Sequence, residues 1–174
     1  MRNPKNNTAD KGDHMPMKES GVKRLEDQFP GGKKVTFSRI LSRDLFLFLL
    51  DLEVKRARRY QNFLCLMSVK IERLTGDGDV ANLQSCHRTL INLLMEEIRE
   101  SDTIGSLELN KLVVLLPYAD AKAGAYVKSR FEDVLKYYDF KNNSFKVVVD
   151  QVCFPVHGTD AMDLIRKVLG TEPA

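Results

Sequence analysis

The sequence predicts an α+β domain, and three observations carry that prediction. Long amphipathic runs, with apolar residues three and four apart, alternate with short apolar runs rich in β-branched residues. Clusters of Gly, Pro, Asn and Asp bound the short runs, as turns require. Two of those runs, 102–107 and 111–116, are separated only by Glu108, Leu109 and Asn110, which reads as a β-hairpin with its tip there.

A chain of 174 residues with 43% hydrophobic content is long enough for one cored domain. A net charge of +3 is too mild to single out nucleic acid as a partner. Cys65, Cys86 and Cys153 lie in apolar runs or on a helix, without CxxC spacing. That pattern predicts buried, reduced thiols and a cytoplasmic location. The longest apolar run, 45–50, is too short to span a bilayer and sits behind a polar segment, unlike a signal peptide.

Residues 1–36 are polar and end in Pro30-Gly31-Gly32, which predicts a disordered or loosely packed leader, with a short helix near 22–28 as its one candidate element. The domain then occupies 37–174. Its first helix spans 38–60, with Leu41, Leu45, Phe48, Leu49 and Leu52 on one face. Lys55 to Tyr60 (KRARRY) closes it, and favourable charge at a helix C-terminus explains the run. A nucleic-acid patch is the competing reading, disfavoured because Tyr60 is the run's only aromatic. Phe63–Ile71 reads as a central strand and Thr75–Asp79 (TGDGD) as a turn. That turn lacks the Glu that closes an EF-hand loop.

A long helix over 80–100 follows, with Leu83, His87, Leu90, Leu94 and Ile98 on its buried stripe. His87 is expected at the boundary with its ring hydrogen-bonded, because no second metal-type residue lies at helical spacing from it. After the hairpin, Asp120 caps a helix reaching Tyr138, with Ala123, Val127, Phe131, Val134 and Tyr138 on one face. Lys141–Ser144 is a turn, Phe145–Phe154 a strand stopped by Pro155, and Asp160–Leu169 a last helix. The order β-α-β-β-α-β is the ferredoxin-like core, flanked here by an N-terminal helix and a short C-terminal helix. A four-stranded antiparallel sheet of this kind carries its helices mostly on one face.

Four strings in this order resemble a known family. RARRY precedes the first strand, RESD precedes the hairpin, VVLLP forms the hairpin's second strand, and a later strand ends in Phe-Pro. Together they resemble the GGDEF domain over about residues 40 to 169. That family contains bacterial diguanylate cyclases, which join two GTP molecules into cyclic di-GMP. The family's tip carries Gly-Gly-Asp-Glu-Phe. Aligned without a gap, those places hold Glu108, Leu109, Asn110, Lys111 and Leu112. Its metal-binding Asp-Ile-Asp context at the end of the first strand is Ser68-Val69-Lys70 here.

Mg²⁺ requires anionic oxygen ligands, so two lysines at carboxylate places imply that no metal is held and no catalytic residue remains. The family's guanine contacts fall near Gly76 and Ser85, neither of which gives the same contact. Basic phosphate-holding residues of the family's last helix are expected beyond Ala174, where this sequence stops. The resemblance thus implies a degenerate, non-enzymatic domain with no cofactor.

The family's inhibitory site, which binds its product, is built on Arg-x-x-Asp five residues before the tip. Arg99-Glu100-Ser101-Asp102 has that spacing, and Arg130 stands where a second arginine of the site lies on the next helix. A guanidinium fork suits phosphate or the guanine O6/N7 edge, and a carboxylate accepts from guanine N1 and N2. RxxD is also a common string, present at Arg24/Asp27 and Arg130/Asp133, and a helix-end ion pair explains it as simply. The expected function is a cyclic di-GMP receptor using Arg99, Asp102 and Arg130. The alternative is a protein-interaction or regulatory domain that binds no nucleotide. The partners implied are cyclic di-GMP, an unidentified protein and a second copy of the chain, with no membrane span and no nucleic acid.

Overall fold

The computed structural model describes residues 40–74, 80–138, 140 and 144–170. The leader at 1–36, its candidate helix, the TGDGD turn with Gly76, and most of the KNNS turn lie outside them. The elements are β1 (Ile40–Ser42), α1 (Arg43–Tyr60), β2 (Leu64–Arg73), α2 (Val80–Glu97), β3 (Thr103–Glu108), β4 (Lys111–Pro117), α3 (Ala121–Tyr137), β5 (Phe145–Phe154) and α4 (Ala161–Leu169). The expected β-α-β-β-α-β core is therefore present as β2 to β5, with α1 before it and α4 after it.

The sheet has five strands in the order β1-β3-β4-β2-β5. β1 runs parallel to β3 and the other pairs are antiparallel. The expected four-stranded sheet with helices mostly on one face is corrected by this arrangement. A short strand precedes α1, and both faces are covered. Odd positions of β2 (Cys65, Met67, Val69, Ile71) pack with Leu83, Cys86, Leu90 and Leu94 of α2 and Phe131 and Leu135 of α3. Even positions Leu64 and Leu66 pack with Phe46, Leu50, Val54 and Ala57 of α1 and Leu164, Ile165 and Val168 of α4. The period-2 alternation of a strand separates these two sets, and each needs its own helical cover.

Local chemistry sets the helix ends. Asp120 accepts from Ala123 N at 2.7 Å and Asp160 from Asp163 N at 2.9 Å, so both act as N-caps. The left-handed Gly170 (φ 70°) ends α4, and its N–H bonds back into the last turn. The stripe expected on α3 is shifted. Gly124, Phe131 and Leu135 are its buried residues, while Tyr138 lies 40% exposed beyond the helix. Gly124 has no side chain to register as apolar, which hid the true phase.

The three cysteines were expected to be reduced thiols, and the structure corrects this for two of them. Cys65 on β2 and Cys153 on β5 are register partners and form a disulfide, 88 residues apart in sequence. Cys86 is free and buried.

Gly105 on β3 faces α1 so closely that a Cβ there would lie 2.4 Å from ring carbons of Phe46. Phe46 is fully buried, and the atoms met include its Cβ, at the base of the side chain. Gly105→Ala is expected to lower the free energy of unfolding by roughly 1–3 kcal/mol, the usual range for overpacking a core. Urea unfolding of Gly105→Ala and of Gly105→Ala/Phe46→Leu checks this, with the double variant recovering part of the loss.

Candidate functional site

The hairpin tip presents the first cluster of predicted residues. Glu108 and Leu109 are exposed, and Asn110 is half-buried with its carbonyl accepting from Ile71 N at 2.8 Å. Lys70 and Lys111 are direct register partners on β2 and β4. Like charges opposite one another destabilise a sheet unless the side chains part. They do part. Lys70 Nζ turns outward to Glu72 Oε1 at 3.1 Å, and Lys111 Nζ runs inward to the carbonyl of Leu169 at 3.2 Å. Lys111 is 7% exposed, so its ammonium is a buried cation at the negative end of α4. Ser68 is buried beside Val113, and Leu112 is wholly within the core.

Two ammonium groups on adjacent strands disfavour a divalent cation at this place. Among the described residues, no group of three His, Cys, Asp or Glu side chains converges to hold a metal ion. A groove of about 530 Å³ lies beside the tip, walled by Lys70, Arg73, Leu83, Leu109 and Asn110. Ser85 is exposed on α2, on the wall of a separate, smaller groove.

The second cluster is the turn between α2 and β3. Asp102 is 8% exposed, and its carboxylate folds back onto that turn. Oδ2 accepts from Arg99 N at 2.9 Å, and Oδ1 accepts from Ser101 Oγ at 3.3 Å. Arg99 is exposed. Arg130 reaches across from α3 to the last residue of α2. Its Nη2 donates to the Glu97 carbonyl, and its Nε lies 3.1 Å from Glu97 Oε2 as an ion pair, without hydrogen-bond alignment. The structure thus ties Arg130 to a residue two positions before Arg99, next to the turn that holds Asp102. Glu97 was not singled out in the sequence. Only its charge opposite Arg130 marked it, and nothing local connects the two.

Between the clusters, Ser106 Oγ and His87 Nε2 share a long hydrogen bond of 3.4 Å. The expected boundary position of His87 is therefore observed. Burial lowers the His87 pKa below 6.5. Burial also pushes the Cys86 thiol up to about 11, which leaves it protonated and unreactive at neutral pH.

Comparison with solved structures fixes the fold. A diguanylate cyclase (DGC) protein from Thermotoga maritima superposes with a TM-score of 0.64 at 13% identity, covering 77% of this chain and 96% of that one. The chain has the GGDEF-domain fold. The GGDEF domain of YfiN from Pseudomonas aeruginosa gives 0.62 at 16% identity, covering 75% of this chain and 86% of that one. The GGDEF domain of DgcB from Caulobacter crescentus, solved in complex with c-di-GMP, gives 0.59 at 10% identity, covering 82% and 87%. No family model and no curated protein sequence matches the chain.

Two measurements test these contacts. Because the folded His87 pKa lies below its unfolded value, the unfolded chain takes up the proton first. The His87 contribution is therefore complete above about pH 6.5 and is lost as pH falls through that value toward the folded pKa. Urea midpoints measured from about pH 8 to about pH 5 should fall, and His87→Gln should flatten the slope. Lys111→Met removes the charged bond to Leu169 O and should cost roughly 1.5–3 kcal/mol. Hydrogen exchange should rise in the last turn of α4 before it rises in α1.

Proposed function

We propose that this domain is a catalytically inactive GGDEF domain that serves as a cyclic di-GMP receptor, with Arg99, Asp102 and Arg130 holding the ligand. The observation that carries the reading is the meeting of Arg130 with the end of α2, beside the Arg99–Asp102 turn. Three groups of the right chemistry thus lie on one neighbourhood of the surface, contributed by two helices and a turn. The Arg130–Glu97 pair is partly exposed, at 36% and 26% for the two side chains. Partly exposed pairs of this kind hold weakly, so exchanging Glu97 for a phosphate or a guanine edge costs little. Asp102 uses one lone pair on each oxygen within its turn, which leaves acceptor capacity for guanine N1 and N2. That one structural neighbour is described as a complex with c-di-GMP supports the same choice of ligand.

The inactive half of the proposal rests on Lys70 and Lys111. One faces solvent, and the other holds the end of α4 in place of any metal. No helix among the described residues is long and apolar enough to cross a membrane. In this reading the domain works with a protein partner or a second copy of itself.

A second reading is a protein-interaction domain without nucleotide. Leu45 and Phe48 favour it, because both stand exposed on α1, at 51% and 62%.

Titration calorimetry with cyclic di-GMP should show binding by the wild type. Arg99→Ala and Arg130→Ala should each weaken it by about tenfold or more, the loss expected for a charged bidentate contact. Incubation with GTP and Mg²⁺ should give no product above a blank. Absence of binding heat in the wild type, with no rise in melting temperature on adding the ligand, would favour the second reading.

A further inference from the structure

The disulfide between Cys65 and Cys153 is sealed beneath the first turn of α3. Neither residue exposes any surface. A Cβ at position 124 would fall 2.8 Å from Cys65 Sγ and 3.3 Å from Cys153 Sγ, so the helix backbone at Gly124 rests directly on the sulfurs. Gln151 Nε2 donates to the Ala121 carbonyl at 3.1 Å and stands 3.9 Å from Cys153 Sγ. The Asp120 carbonyl stands 3.3 Å from Cys65 Sγ. A disulfide has no proton to offer that carbonyl, whereas a Cys65 thiol would donate to it. An acceptor for the reduced form is therefore already in place.

Parting the sulfurs requires space, because non-bonded sulfurs cannot remain at bonding distance. On the helix side the backbone at Gly124 and the Asp120 carbonyl lie against them, so the room comes from movement of α3. Access runs through the same place, since a reductant reaches the bond only when that turn lifts.

We propose that Cys65–Cys153 is a reversible dithiol/disulfide couple that reacts with dithiols, and that the first turn of α3 gates it. In reduction, a thiolate of the dithiol attacks one sulfur, the S–S bond breaks, and a mixed disulfide forms while the other cysteine leaves as thiolate. The second thiolate of the reductant attacks its own sulfur in that mixed disulfide and releases the second cysteine. Two electrons pass to the protein, two protons settle on Cys65 and Cys153, and the reductant leaves as a disulfide. An oxidised partner of the same class runs the sequence backwards. Cys86 takes no part, being buried and held protonated. Oxidation clamps α3 to the sheet, and reduction loosens the helix that also carries Arg130.

The test uses the full chain purified in air. Unfolded with excess maleimide, it should take one label, on Cys86, and three after dithiothreitol. Three labels before reductant would overturn the couple. Reduction of the native protein by dithiothreitol should then be timed in two cap variants. Asp120→Ala removes the N-cap of α3 and should speed reduction about fivefold. Asp160→Ala removes the equivalent cap of α4, on the opposite face, and should leave the rate within about twofold. Equal acceleration by both means that the bond is reached only through unfolding of the whole domain, and the gate is wrong. Amide exchange across 121–137 should also rise on reduction while that of α4 stays constant. Unchanged exchange in α3 would show that the bond does not clamp the helix.

Discussion

Because β2 lies between β4 and β5 and is buried on both faces, every helix must choose a side of it. Leu64 and Leu66 need α1 and α4, while Cys65, Met67, Val69 and Ile71 need α2 and α3. A shift of one residue in the pairing would exchange the two sets and set each against the other pair of helices. β4 is under the same constraint, with Lys111 to Leu116 buried throughout. The register between these two strands therefore also fixes where the hairpin tip stands. It brings Lys70 opposite Lys111, and it is the reason two cations are neighbours there.

The two lysines show how like charges can stand opposite one another without disturbing the frame. Burying an ammonium is costly unless it finds an acceptor. Lys111 finds one at the carbonyl end of α4, where the helix dipole adds to the attraction. The tip thus carries a tie between the hairpin and the last helix. The turn at Arg99–Asp102 owes nothing to that tie. It closes on itself through Asp102 and is braced from α3 through Arg130 and Glu97.

Much of this was legible in the chain. The hairpin, β2, β5 and the cap Asp120 are written in neighbouring residues, and local rules recover them. β1 was not, because three residues, Ile40 to Ser42, carry no period and become a strand only by pairing with β3. The disulfide escaped because a separation of 88 in sequence says nothing about which strands are adjacent. Glu97 and Leu169 escaped for the same reason: each matters through a partner brought close by packing. For the turn, the sequence named Arg99, Asp102 and Arg130, and the structure supplied the groups that hold them.

One ion pair at the rim of the sheet has a consequence of a different kind. Lys128 on α3 lies 3.7 Å from Asp150 on β5. Asp150 shares the parity of Val152 and Phe154, which face α1 and α4, whereas α3 packs on the other side. The lysine therefore reaches past the outer strand. β5 is a ten-residue edge whose backbone would accept another strand, the usual route to unwanted association between chains. A charged side chain drawn across that edge makes such an approach displace an ammonium and its partner first. The long rim thus carries its own guard, drawn from a helix of the same fold.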